Sequence, residues 1–138
     1  LIHHLERAGH HCVYACDIEP QVSWEGFEAN PHIEQADVLF FGHKIPSCDM
    51  IITNTPWERG VLHQMIEKFS RQAPTWLLFD AGWAFTGQAV PFLEYCQKIV
   101  TVGRISWEGN GTAGKEDCAW YLFGAEKCET RFIGKVKT

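Results

Sequence analysis

Residues 49–57 read Asp-Met-Ile-Ile-Thr-Asn-Thr-Pro-Trp (DMIITNTPW), and the fold follows from this stretch. Met50 to Thr53 is a short, continuously apolar run with β-branched residues, which reads as a buried strand. Pro56 lacks a backbone N–H and has a fixed φ, so the strand ends there and a turn follows. Past the turn, Val61, Leu62, Met65, Ile66 and Phe69 recur at helical spacing, which predicts a helix from about Arg59 to Gln72. Pro74 then resets the chain into Trp76–Asp80 (WLLFD), a second buried strand. Strand, helix, strand is the unit of a parallel sheet.

Working outward, the same alternation continues on both sides. Upstream, Leu1, Ile2, Leu5 and Ala8 form one face of a helix closed by Gly9, so a preceding segment is expected. Cys12–Cys16 (CVYAC) reads as a strand ending at Asp17 and Ile18 before Pro20, and Val38–Phe41 (VLFF) as another. Residues 22–34, interrupted by Pro31, read as a short helical turn or an irregular connection. Downstream, a Gly82–Gly87 loop leads to a helix over Val90–Cys96, then a strand over Lys98–Ile105. A glycine-rich loop, Glu108–Lys115, precedes strands at Cys118–Phe123 and Thr130–Ile133. The class is α/β with a mixed sheet, mostly parallel, and the last hairpin-like pair predicts an antiparallel C-terminal edge.

Composition sets the outer bounds. With 138 residues, 46% hydrophobic and 21% charged, the chain reads as a single globular domain over residues 1–138, able to bury a core without disulfides or metals. No apolar run reaches the roughly 18 residues of a membrane span. The net charge of −5 is uneven: residues 1–69 carry four basic and ten acidic side chains, and residues 70–138 eight and seven. A sequence-blind, electrostatic binder of nucleic acid is therefore disfavoured. Six cysteines scattered along a core-forming chain, with no leader-like start, read as reduced thiols of a cytoplasmic protein.

In parallel sheets, ligands bind outside the carboxyl ends of the strands. Asp17, after the first strand, suits the hydroxyls of a ribose, although a solvated strand-end acid or helix cap has the same appearance. Asp37, in the connection entering the next strand, can accept from an exocyclic amine while Val38 stacks on a purine; a turn aspartate fits equally. The sharpest element is Asn54-Thr55-Pro56-Trp57. A carboxamide oxygen and the next backbone carbonyl can both accept from one NH2 group, and the indole can stack on the ring that bears it. A plain strand-to-helix turn with Trp57 in the core is the competing reading.

DMIITNTPW resembles the D-x-I-x-[ND]-P-P-[YFW] element of the amino-methyltransferases that act on adenine N6 and similar planar amines. Those enzymes are built on the Rossmann-like class I fold that uses S-adenosyl-L-methionine (AdoMet). VYACDIEPQ is similar to that family's acidic, ribose-holding strand and ADVLF to the segment beside the adenine. WLLFDAGWAF is similar to its fifth strand, and DCAWYLF to the penultimate strand of phage and bacterial examples. The resemblance implies AdoMet as cofactor, bound by Asp17, Ile18, Asp37 and Val38. It implies Asn54, Thr55, Pro56 and Trp57 as the catalytic turn, and adenine N6 in DNA as the target. It also implies a site without metal. Two features depart from the pattern: Thr55 stands where the first proline is usual, and neither the first strand nor the glycine-rich loop for the cofactor's methionine end is present before Leu1. A non-catalytic remnant that binds a nucleotide or a protein is the alternative, as is a methyltransferase of a small molecule or a protein amide.

Other features carry less. Cys12 and Cys16, four apart in one strand, are about 13 Å from each other, too far to share a zinc ion with His10 and His11. Trp76 and Trp120 read as core, while Trp57, Trp83 and Trp107 fall in loops beside strand ends. Lys127, Arg131, Lys135 and Lys137 read as a solvated edge.

Overall fold

A computed structural model describes residues 1–20, 33–106, 112 and 114–135. The chain divides into two compact units, Leu1–Cys48 and Asp49–Thr138. Of the connection expected over residues 22–34, residues 22–32 lie outside the described residues, as do most of the glycine-rich 108–115 loop, Trp107 and Lys137, while Ile33 and Glu34 belong to a strand.

The first unit opens with helix α1 (Ile2–Arg7). Gly9, at φ +92°, ends it: its N–H donates to Glu6 O and the His10 N–H to Leu5 O, a Schellman closure that requires a residue comfortable at positive φ. Two short strands follow, β1 (Ala15–Asp17) and β2 (Ile33–Gln35), paired in parallel with Asp17 opposite Gln35. Here the structure corrects the sequence reading. Val38–Phe41 is a turn, closed by the Leu39 N–H donating to Asp37 Oδ1 and the Phe40 N–H to Asp37 O. The strand lies earlier, at Ile33–Gln35, so Asp37 follows a strand rather than entering one. An apolar run signals burial, but the acceptors of an aspartate before it favour a turn.

The second unit is a five-stranded mixed sheet with helices. Its elements are β3 (Ile51–Asn54), α2 (Arg59–Ser70), β4 (Thr75–Asp80), the four-residue α3 (Val90–Leu93), β5 (Cys96–Arg104), β6 (Asp117–Phe123) and β7 (Arg131–Ile133). The spatial order is β3-β4-β6-β5-β7; β3 and β4 are parallel, β6 runs antiparallel to both β4 and β5, and β7 is parallel to β5. The α/β class and the mixed sheet are therefore found. The antiparallel strand, however, is interior, inserted between β4 and β5, and the C-terminal edge strand β7 is parallel. The helix expected to reach Cys96 is shorter, because Cys96 already pairs with Phe123 in β5–β6.

One face of this sheet is dry. Thr75, Leu77, Phe79, Ala119, Tyr121 and Phe123, which alternate along β4 and β6, are fully buried. Trp83 lies on them, edge-on to Phe79, Tyr121 and Phe123. α2 buries Leu62, Met65, Ile66 and Phe69, spaced i, i+3, i+4, i+7, each stabilising by roughly 1.5–3 kcal/mol relative to exposure. On the opposite face Trp76 and Trp120 are only half-buried, so they are not the core residues their apolar strands suggested. Trp83, expected at a loop, is completely buried.

Candidate functional site

In the second unit, β3 ends at Asn54, which pairs with Leu78 of β4. The parallel ladder extends one residue further, since the Thr55 N–H donates to Leu78 O at 3.4 Å. Asn54 is exposed, Thr55 buried, Pro56 exposed and Trp57 half-buried. The turn thus presents its carboxamide outward at the carboxyl end of a parallel strand while its threonine is drawn inward. Trp57 is neither wholly core nor free to solvent.

The far end of the turn is fixed by an ion pair. Arg59, the first residue of α2, donates from Nη2 to Asp80 Oδ2 at 3.0 Å, with side chains 35% and 22% exposed. Asp80 closes β4, and its other oxygen accepts the Gly82 N–H at 2.8 Å, capping the 3-10 turn Ala81–Phe85. The Tyr121 hydroxyl donates to the carbonyls of Asp80 and Ala81, both at 3.1 Å. Burial holds the Tyr121 phenol un-ionised, above its ordinary range, with the Asp80 charge acting in the same direction. The loop from Asn54 to Arg59 is therefore clamped at both ends to β4.

Arg59 and Asp80, 21 residues apart, are the site residues that sequence reading missed. Asp80 was legible in principle as an acid at a strand's carboxyl end. Its partner was not, because nothing local marks which strand end a first-turn arginine will reach.

The first unit gathers the other expected residues. The Ala36 N–H donates to Asp17 O at 2.9 Å and Gln35 Nε2 to Ile18 O at 3.3 Å, so the ends of β1 and β2 lie side by side. Asp17 and Ile18 are thereby brought near Asp37 and Val38. Both carboxylates are exposed, and each closes its own turn through Oδ1, Asp17 to the Glu19 N–H at 2.9 Å and Asp37 to the Leu39 N–H at 2.8 Å. The turn role considered for each acid is thus filled by one oxygen. Beside Asp37 is an open cavity of about 500 Å3 lined by Ala36, Asp37, Phe40, Phe41, Gly42 and His43. Phe40 and Phe41 are 70% and 97% exposed at its margin.

Among the described residues no cluster of three or more His, Cys, Asp or Glu could hold a metal ion, and no helix is long and apolar enough to cross a membrane. All six cysteines are free thiols. Lys127 pairs with Glu94 and lies 5.9 Å over the Tyr95 ring, a surface arrangement. No protein family, curated protein or solved structure matches this chain.

Proposed function

We propose that this chain is an AdoMet-dependent methyltransferase of a planar exocyclic amine, with adenine N6 in DNA as the leading substrate. The observation that carries the reading is the exposed Asn54 at the carboxyl end of β3, in a turn whose two ends are tied to β4 by the Thr55–Leu78 and Arg59–Asp80 contacts. A positioned amide is what the chemistry needs. The lone pair of an exocyclic amine is delocalised into its ring; two acceptors, Asn54 Oδ1 and the Thr55 carbonyl, favour the pyramidal nitrogen that attacks. AdoMet supplies a methyl group on a sulfonium, already an excellent leaving group, so orientation provides most of the acceleration. Trp57 offers a partly exposed indole against which the ring can rest. In duplex DNA the base must be flipped out to reach the turn.

Support for the cofactor comes from the first unit. Asp17 and Asp37 each keep one carboxylate oxygen outside their turn bonds, at neighbouring chain ends, and Phe40 flanks the cavity beside Asp37. Those groups suit the hydroxyls of a ribose and the amine and ring face of an adenine.

Transfer from labelled AdoMet to unmethylated DNA tests the reading. Asn54→Ala is expected to lower transfer by at least a hundredfold with AdoMet affinity and melting temperature unchanged, because the lost contact belongs to the transition state. Asn54→Asp, which still accepts, is expected to retain part of the activity. By calorimetry, Asp17→Ala is expected to lose most AdoMet binding. Wild-type transfer by Asn54→Ala would overturn the assignment.

A further inference from the structure

Two buried polar atoms flank the turn without partners. Thr55 is 4% exposed, and its Oγ1 has no hydrogen-bond partner; Arg59 Nη1 is equally shielded and also unpartnered, while Nη2 is held by Asp80. Buried donors left unpaired are costly and uncommon, so a pair of them within five residues calls for an explanation.

Thr55 and Arg59 stand at consecutive elements, the end of β3 and the start of α2. Pairing of Thr53 with Leu77 and of Asn54 with Leu78 places Thr55, in alternation, on the sheet face of Leu77 and Phe79. Trp83 covers that face and is hydrogen-bonded to His63 of α2, so Thr55 lies on the side of the sheet that faces α2, whose first residue is Arg59. The helix is 12 residues long; its N-cap, Glu58, makes no side-chain cap bond, and its first turn contains no acidic residue. Its leading N–H groups and the positive end of its dipole are therefore left without a side-chain cap.

We propose that Thr55 Oγ1, Arg59 Nη1 and the first turn of α2 form a seat for an oxyanion, and that its occupant is a phosphate group of the substrate. A tetrahedral oxyanion has enough acceptor oxygens to satisfy all three donors at once. The side chains that shield the two atoms yield as it enters. Asp80 offsets the guanidinium charge and Glu58 lies beside it, so attraction is short-ranged and inorganic phosphate alone binds on the order of millimolar. The choice of phosphate rests on the amino-transfer reading: a nucleotide carries an amine for Asn54 and a phosphate for this seat, whereas a protein amide carries only the first.

The test uses the full chain and amide NMR titrations with inorganic phosphate, deoxyadenosine, its 5′-monophosphate and methionine. Inorganic phosphate is expected to shift the amides of Thr55, Arg59 and Gly60. The monophosphate is expected to bind at least tenfold more tightly than the nucleoside, and Thr55→Val and Arg59→Gln are expected to erase that difference. Thr55→Val, near-isosteric and free of the orphan hydroxyl, is expected to fold at least as stably as the parent, so its loss of phosphate binding is not a folding effect. Phosphate shifts lost in both variants, with no nucleoside or AdoMet binding, would keep the seat and sink the methyltransferase reading. Displacement of phosphate from these amides by methionine would assign the seat to the cofactor's carboxylate and overturn the substrate-phosphate proposal. Absence of phosphate shifts, or equal affinity for nucleoside and nucleotide, would overturn the seat.

Discussion

Trp83 and His63 are joined by a hydrogen bond with only one workable direction: the indole Nε1–H donates to His63 Nε2 at 3.1 Å. Indole nitrogen cannot accept, so Nε2 must be unprotonated. His63 also stacks on Phe92, ring centroids 4.4 Å apart. Burial, and then the neighbouring Arg59 charge, lower its pKa from the ordinary 6.5, with Glu67 opposing weakly. Trp83 itself has no exposure, so an imidazolium at this place leaves a buried indole N–H without its acceptor.

Stability should therefore fall on mild acidification. Above pH 6.5 the ring is neutral in folded and unfolded chains and the bond contributes fully. As pH drops below that value, the unfolded chain takes up a proton that the folded chain resists, and folding loses stability until the lowered native pKa is passed. A His63→Gln variant, whose carbonyl also accepts, should keep most of the bond, worth about 1 kcal/mol, and lose this part of the pH dependence. Urea melts of both proteins between pH 5 and 8 check it: parallel curves would refute the coupling.

Asp80 joins two elements at the carboxyl end of the sheet, and removing it should disturb both. Asp80→Ala deletes the Arg59 ion pair and the cap on Gly82, for an expected loss of about 1–2 kcal/mol, most of it from the cap because the pair is partly solvated. Asp80→Asn keeps an acceptor for Gly82 and should lose less than half as much. Urea midpoints at unchanged slope would measure the difference.

How much of this was legible in the sequence depended on whether the signal was local. The helical spacing of Leu62, Met65, Ile66 and Phe69 found α2 nearly to the residue, and Trp76–Asp80 found β4. VLFF misled because hydrophobicity without alternation cannot separate a strand from a turn whose apolar side chains remain exposed; Phe41 is 97% exposed. The interior position of β6 was invisible as well, since strand order is set by which edges meet and by no residue in the strand itself. Within the site, Asn54 at a strand's carboxyl end followed from Pro56, a local signal. The Arg59–Asp80 clamp and the burial of Trp83 are tertiary facts, fixed only when β4 lies against α2.

Thiol reactivity should sort by burial. Cys96 is fully buried in β5, and desolvation pushes its thiol up to about 12; Cys118 is also fully buried and raised, first by burial and then by Asp117. Cys128 is exposed. Titration of the native protein with an aromatic disulfide should therefore modify Cys128 first and leave Cys96 and Cys118 protected until denaturant is added, when all six groups react. Fewer than six under denaturing, non-reducing conditions would mean that a disulfide forms.

Hydrogen exchange should divide the chain at the boundary between its units. Every buried apolar side chain among the described residues, from Leu62 to Phe123, belongs to the second unit, and no described residue of Leu1–Cys48 is buried. Strands β1 and β2 are three residues each, and β2 is exposed along its length. Their amides have little apolar packing to hold them closed, whereas those of β4 and β6 sit in the middle of a five-stranded sheet with one dry face. Opening of the first unit is thus expected to cost several kcal/mol less than global unfolding, and protection at β1 and β2 to be lost about a hundredfold or more sooner than at β4 and β6. If Asp17 and Asp37 hold a cofactor, AdoMet should slow exchange in the first unit selectively, since binding stabilises the closed form by mass action. Equal protection across both units without ligand would show that the first unit does not open separately.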